Sequence, residues 1–304
     1  MITRTLIRQK VVQILYAYLL RENTNVEAAE KELTFSLGKA YDLYLYLLLL
    51  MVEVKHFAED RMALRRLRLK PTEEDLNPNL RFVNNRFICQ LEQNNELAER
   101  KKELKRSWKD ADDVVKKLFE SIERSNLYCD YMNAPAEPTY EDDRTLWRRI
   151  YKQFIMDNDA LDSLFEDQSL YWNDDKTVVD TFVLKTIKQF DPSMGAEQPL
   201  LPQYHDKEDP EFAQALLRRA LTQADAYRQL IDEQSRNWTG ERIAFMDTVI
   251  MVTALAETTS FPSIPLNVTL NEYVEIAKYY STPSSASFIN GILDAAAKKL
   301  KVKG

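Results

Sequence analysis

Along residues 4–21 apolar side chains recur at three- and four-residue steps, with Leu6, Ile7, Val11, Ile14, Leu15, Tyr18 and Leu19 mostly on one face. That spacing predicts an amphipathic helix. A second helix is expected from about Val26 to Glu59, with Gly38 as a candidate break. It contains LYLYLLLLMV, residues 43–52, the longest apolar run of the chain. Ten residues bounded by Asp42 and Glu53 are too few to cross a bilayer, so a buried helix is expected there.

Over 209–236, Asp209-Pro210 supplies an N-cap followed by Pro at the first helical position. Phe212, Leu216, Ala220, Ala224, Tyr227 and Ile231 then form its buried stripe. Gly240 separates it from ERIAFMDTVIMVTALAE, residues 241–257, whose apolar positions surround most of the circumference. A helix with that pattern belongs at the centre of a bundle. TTSFPSIPLN, with Pro262 and Pro265, reads as a loop. Thr269 and Glu272 then form a capping-box pattern, with Val268 and Tyr273 placed for a hydrophobic staple. STPSS, residues 281–285, precedes a last helix that carries the Asn290-Gly291 pair. Gly in a helix interior costs about 1 kcal/mol relative to Ala. Close approach of another helix backbone at Gly291, with Asn290 bonded to a neighbouring segment, would account for the pair.

The expected fold class is therefore all-α, and composition agrees. Only five glycines stand against eleven prolines in 304 residues, which disfavours turn-rich β architectures and phosphate-cradling loops. No two of the five glycines are close enough for a nucleotide-binding motif, so no cofactor is expected. Cys89 and Cys129 read as two unpaired thiols, and His56 and His205 lack metal-ligand spacing, so no metal is expected. The first residues show no signal-peptide pattern, which points to a cytoplasmic protein.

Charge is uneven. Residues 61–109 hold 13 basic and 7 acidic side chains, whereas residues 110–210 hold 11 and 23. In the basic segment, RMALRRLRLK and ERKKELKRSWK cluster Arg61, Arg65, Arg66, Arg68, Lys101, Lys102, Lys105 and Arg106 beside Trp108. These runs read first as solvated helix faces and, more sharply, as extra RNA contacts. The acidic segment, rich in aromatics at helical spacing, fits either ordinary packing or a surface for a basic protein. Without a recognisable nucleophile, metal cluster or cofactor loop, its carboxylates are not read as catalytic, and no enzyme is expected.

RQKVVQILYAYLL near the start and NVTLNEYVEIAKYYSTPSSASFINGILD near the end resemble the NusB family of bacterial transcription antitermination factors. The resemblance rests on Leu15-Tyr16, on Asn271-Glu272 followed by Glu275, Ala277 and Lys278, and on Phe288 through Asp294. It implies a NusB-like helical bundle built from residues 1–60 and 205–304, with an inserted helical region at 61–204. It further implies binding of single-stranded boxA-type RNA together with the ribosomal protein NusE, within the RNA polymerase antitermination complex that supports ribosomal RNA transcription. The family's arginine-rich N-terminus is thinned here to Arg4 and Arg8, with Lys10 added. The resemblance gives these three, with Phe288, to RNA. The plain alternatives are a solvated first turn for the arginines and a core position for Phe288. Asp247 matches an acidic position that faces NusE, against the alternative of a simple exposed carboxylate. At the level of the whole chain the alternative is a protein-interaction module that has lost RNA binding. Fusion to a methyltransferase domain would need a Gly-rich loop that the sequence lacks.

Overall fold

The computed structural model describes residues 1–172, 174–235, 243–282 and 284–303. Among these there is no strand, and Ile2 and Tyr204 form an isolated parallel bridge. The helices are α1 (Arg4–Leu20), α2 (Val26–Arg66), α3 (Glu73–Leu76), α4 (Arg86–Glu92), α5 (Asn95–Glu103), α6 (Asp112–Glu123), α7 (Asn126–Asn133) and α8 (Tyr140–Ile150). They continue with α9 (Asp159–Gln168), α10 (Lys176–Gln189), α11 (Asp209–Thr222), α12 (Ala224–Ser235), α13 (Phe245–Ser260), α14 (Leu266–Tyr280) and α15 (Ser285–Lys303). The all-α expectation holds.

The chain divides into two compact units, one of residues 39–202 with Met1, the other of residues 2–38 and 203–304. The unit built from the two ends thus stops at Gly38, whereas the sequence reading carried it to residue 60.

In the end-built unit, α13 packs against α1, α11, α12, α14 and α15. Every residue from Val249 to Glu257 is buried, as the all-round apolar pattern anticipates. The expected stripe Phe212, Leu216, Ala220, Ala224, Tyr227 and Ile231 is buried too, although its helix breaks into α11 and α12 at Gln223. Gly240 and the first residues expected for the central helix, Glu241 and Arg242, lie outside the described residues, as does Pro283 of the STPSS turn. The last helix runs through Asn290-Gly291, and Asn290 is exposed on it.

The capping box at Thr269 does not form. Pro265, already extended, starts α14 at Leu266, so Thr269 lies inside the helix and is buried. Its hydroxyl is spent on another helix, as described below.

In the unit of residues 39–202, the run 43–52 is buried on every side. By length and composition α2 could cross a membrane, yet 78% of its most apolar window is buried inside the protein, as in the core helix of a soluble protein. Trp108 is buried as well: its ring stacks on Tyr46 at 4.1 Å and its indole N–H donates to the Tyr46 carbonyl at 2.8 Å. The basic run beside it therefore has no aromatic ring to offer at Trp108. A second aromatic cluster joins Phe82, Phe119, Tyr128 and Trp147. Much of the acidic segment's aromatic content is thus core.

The expected break at Gly38 is absent, since α2 continues through it. A Cβ built at Gly38 meets nothing within 4 Å. Replacing Gly by Ala removes backbone freedom from the unfolded chain and favours the helix. Gly38→Ala is expected to stabilise the protein by about 0.5–1 kcal/mol, read as a higher urea midpoint at unchanged slope.

Candidate nucleic-acid interface

The N-terminal cations are set by α1. Thr3 caps this helix by accepting from the Leu6 N–H, and successive residues then advance by about 100° around its axis. Arg8 consequently shares a face with Val11 and Leu15 and turns inward, where it is buried. Its Nε donates to Glu257 Oε2 at 2.7 Å and a terminal nitrogen to Glu257 Oε1 at 2.9 Å, a two-point guanidinium–carboxylate pair. The other terminal nitrogen reaches Glu272 at 3.2 Å.

Glu257, fully buried in α13, also accepts from the Thr269 hydroxyl at 2.9 Å and the Tyr273 phenol at 3.1 Å, both on α14. Burial, and next the Glu257 charge, push the Tyr273 phenol well above its ordinary range, so it stays a donor. Burial pulls the Arg8 guanidinium down, but its hydrogen bonds and charge contact with Glu257 outweigh this and leave it raised.

This placement corrects the expectation for Arg8: its charge is compensated inside the protein rather than offered to a phosphate. Lys10, an inward neighbour of Leu6, Ile7 and Ile14 by helical spacing, is buried as well and leaves the exposed set. Arg4 is half-buried, its Nε 3.3 Å from Asp209 and its guanidinium 4.8 Å from the centre of the Phe212 ring. It keeps a partial path to solvent.

Asp247 is neither an open partner-facing carboxylate nor a simple exposed one. It is buried at the start of α13 and accepts from the Ser281 hydroxyl. Ser281 in turn lies 3.0 Å from the Ser285 hydroxyl at the start of α15. Asp247 therefore anchors the turn that leads to Phe288. Phe288 itself is half-buried one helical turn into α15, between the core and stacking expectations.

The surface also holds groups that the sequence reading did not single out. Tyr279, 75% exposed, lies beside Lys278 at the end of α14, and its ring is 6.4 Å from that of Tyr280. The Tyr280 hydroxyl accepts from Gln13 on α1 at 2.9 Å. One turn on, Tyr16 meets Phe245 edge-to-face at 5.1 Å, and the Arg228 guanidinium lies 5.9 Å from the Phe245 ring centre. Contacts thus link α14, α1, α13 and α12 in a run of two ring pairs, Tyr279–Tyr280 and Tyr16–Phe245, joined through Gln13 and flanked by Lys278 and Arg228. The available signal was Tyr279: it falls off the buried stripe of Tyr273, Ile276 and Ala277. Arg4, nine residues before Gln13, points about half a turn away from this run.

Comparison with known proteins defines the family. The NusB family profile matches residues 181–298, from within α10 through most of α15. Transcription antitermination protein NusB of Geotalea daltonii is 38% identical over 136 residues, 45% of this chain and 91% of that protein. NusB of Salinibacter ruber is 34% identical over 40% of this chain and 80% of its own length, and NusB of Geobacter sulfurreducens 36% over 40% and 92%. The chain belongs to the NusB family of transcription antitermination proteins. It is a long form, because more than half of it lies outside the match to each of these relatives. No solved structure matches it.

Removing one partner of a buried ion pair leaves the other uncompensated, at a cost of about 3–5 kcal/mol. Arg8→Ala is expected to lose about that much in urea unfolding. The double variant Arg8→Met/Glu257→Leu should recover most of the loss, because it leaves no buried charge. A double variant no better than Arg8→Ala would mean that the pair matters through shape rather than charge.

Proposed function

We propose that this antitermination factor binds single-stranded boxA-type RNA together with NusE, and that the aromatic run of the end-built unit is where bases stack. Such a factor works beside RNA polymerase in the cytoplasm, in the synthesis of ribosomal RNA. The observation that carries the reading is Tyr279. A tyrosine ring left three-quarters in solvent, beside a lysine and next to the Tyr280 ring, presents a flat π-face to an unpaired base. Base stacking on an aromatic ring tolerates any sequence, and Lys278 and Arg228 supply phosphate contacts at its flanks.

Phe288 extends the stacking surface at the start of α15, and Arg4 offers a separate phosphate contact from its solvent-facing edge. The buried Arg8 and Lys10 act through the fold. Asp247 contributes to any NusE surface by holding the Ser281 turn, because its own carboxylate is engaged.

The test is a titration of labelled boxA-like RNA at two salt concentrations, with and without NusE. Tyr279→Ala is expected to weaken binding on the order of ten- to a hundredfold, the range of one lost stacking interaction. Arg4→Ala should flatten the salt slope by about 0.7, the share of one single-strand phosphate contact. NusE should tighten the complex. RNA affinity unchanged by Tyr279→Ala and by Phe288→Ala would overturn the assignment of the surface. Absence of salt-sensitive binding with or without NusE would overturn RNA binding itself.

A further inference from the structure

We propose that the C-terminal end of α2 and the segment that follows it form a docking surface for an acidic amphipathic helix of another protein. Exposed apolar side chains concentrate here: Leu64 is 68% exposed, Leu67 81%, and Leu69 wholly so, with Leu76 and Leu80 following. Single exposed leucines are ordinary on a protein surface, but a cluster of this kind marks a contact site.

Cations alternate with these leucines. Arg66 and Lys70 are exposed and have no ion-pair partner among the described residues. Next to them opens a cavity of about 320 Å³ whose apolar lining includes Met62, Phe119, Tyr128 and Met132. Arg61 and Arg65 line it too, and both turn to the Glu123 carboxylate, at 2.8 and 3.6 Å. The Arg61 guanidinium also lies 5.6 Å from the Phe119 ring centre. Glu123 thus shows, within the molecule, the kind of group this arginine pair receives.

Charge and shape together select the partner class. An acidic helix can lay an apolar stripe over Leu64, Leu67 and Leu69, put one large side chain into the cavity, and bring carboxylates to Arg66 and Lys70. The methionines of the cavity suit a pocket that adjusts to its guest. A nucleic-acid strand would find no exposed ring to stack on, because Phe119 is buried and Tyr128 nearly so.

The experiment titrates the full chain into a fluorescein-labelled peptide of about 18 residues, five helical turns, with Leu at helix-face spacing and Glu elsewhere. A peptide of the same composition in scrambled order is the control. The proposal expects saturable binding of the patterned peptide alone. Affinity should fall roughly tenfold or more in Leu67→Ser/Leu69→Ser, where apolar contact is lost, and in Arg66→Glu/Lys70→Glu, where charge is reversed. All four side chains are exposed, and circular dichroism checks that the variants keep their helix content. Methyl resonances of Met62 and Met132 should shift during the titration, which places the peptide at the cavity. Equal binding of the scrambled peptide, undiminished binding by both variants, or shifts confined to other methionines would overturn the proposal. So would absence of peptide binding. In that case, loss of single-stranded RNA binding or of anionic-vesicle binding in the same two variants would assign the surface to RNA or to a membrane instead.

Discussion

The end-built unit depends on one buried ion pair. Glu257 sits in the most enclosed helix of the bundle, where an ionised carboxylate without partners would be prohibitively costly. Arg8, Thr269 and Tyr273 together give it four hydrogen bonds from α1 and α14. Each donor is useful only if its helix arrives at the right depth and rotation. The pair is thus a poor source of net stability compared with a hydrophobic replacement, but it discriminates strongly against a slipped α1 or α14. The surface groups inherit that precision, because Gln13 and Tyr16 share α1 with Arg8, and Tyr279 and Tyr280 share α14 with Tyr273.

Much of this arrangement was legible in the sequence where periodicity alone decides. The all-round apolar pattern before Glu257 marked α13 as the central helix, and the stripe from Phe212 to Ile231 was read correctly across a break at Gln223 that no residue announced. Thr269 shows where reading failed. Its capping pattern is locally sound, but Pro265 offers an earlier helix start, and a buried carboxylate on another helix gives the Thr269 hydroxyl a better use than a cap. The family resemblance gives Arg8 and Lys10 to RNA, although both fall at helical spacing from buried apolar residues of α1. Burial of charge is decided by a partner 249 residues away in sequence, which no local pattern reveals.

The same distinction applies to the unit of residues 39–202. Its acidic, aromatic segment fits either packing or a surface in sequence, and many of the unit's aromatic rings turn inward: Trp108 against Tyr46, and Phe82 with Phe119, Tyr128 and Trp147. What is left outside is mainly charge, with leucines gathered at one end of α2. The family match covers residues 181–298 and leaves most of the unit of residues 39–202 to be understood from its own chemistry. The leucines and cations of the proposed docking surface lie outside the family match, so a partner there would leave the matched region untouched.

The discontinuity of the end-built unit also orders events on the ribosome. Residues 39–202 are contiguous and contain most of what their own core needs, so they can close as soon as they emerge. By contrast, α1 precedes that unit in the chain, with Arg8 on its inward face, and its carboxylate partner follows only 249 residues later. Until then the apolar face of α1 has no bundle to enter. Helix α1 is thus translated long before its partner exists, and in that interval it would gain from a chaperone that shelters its apolar face.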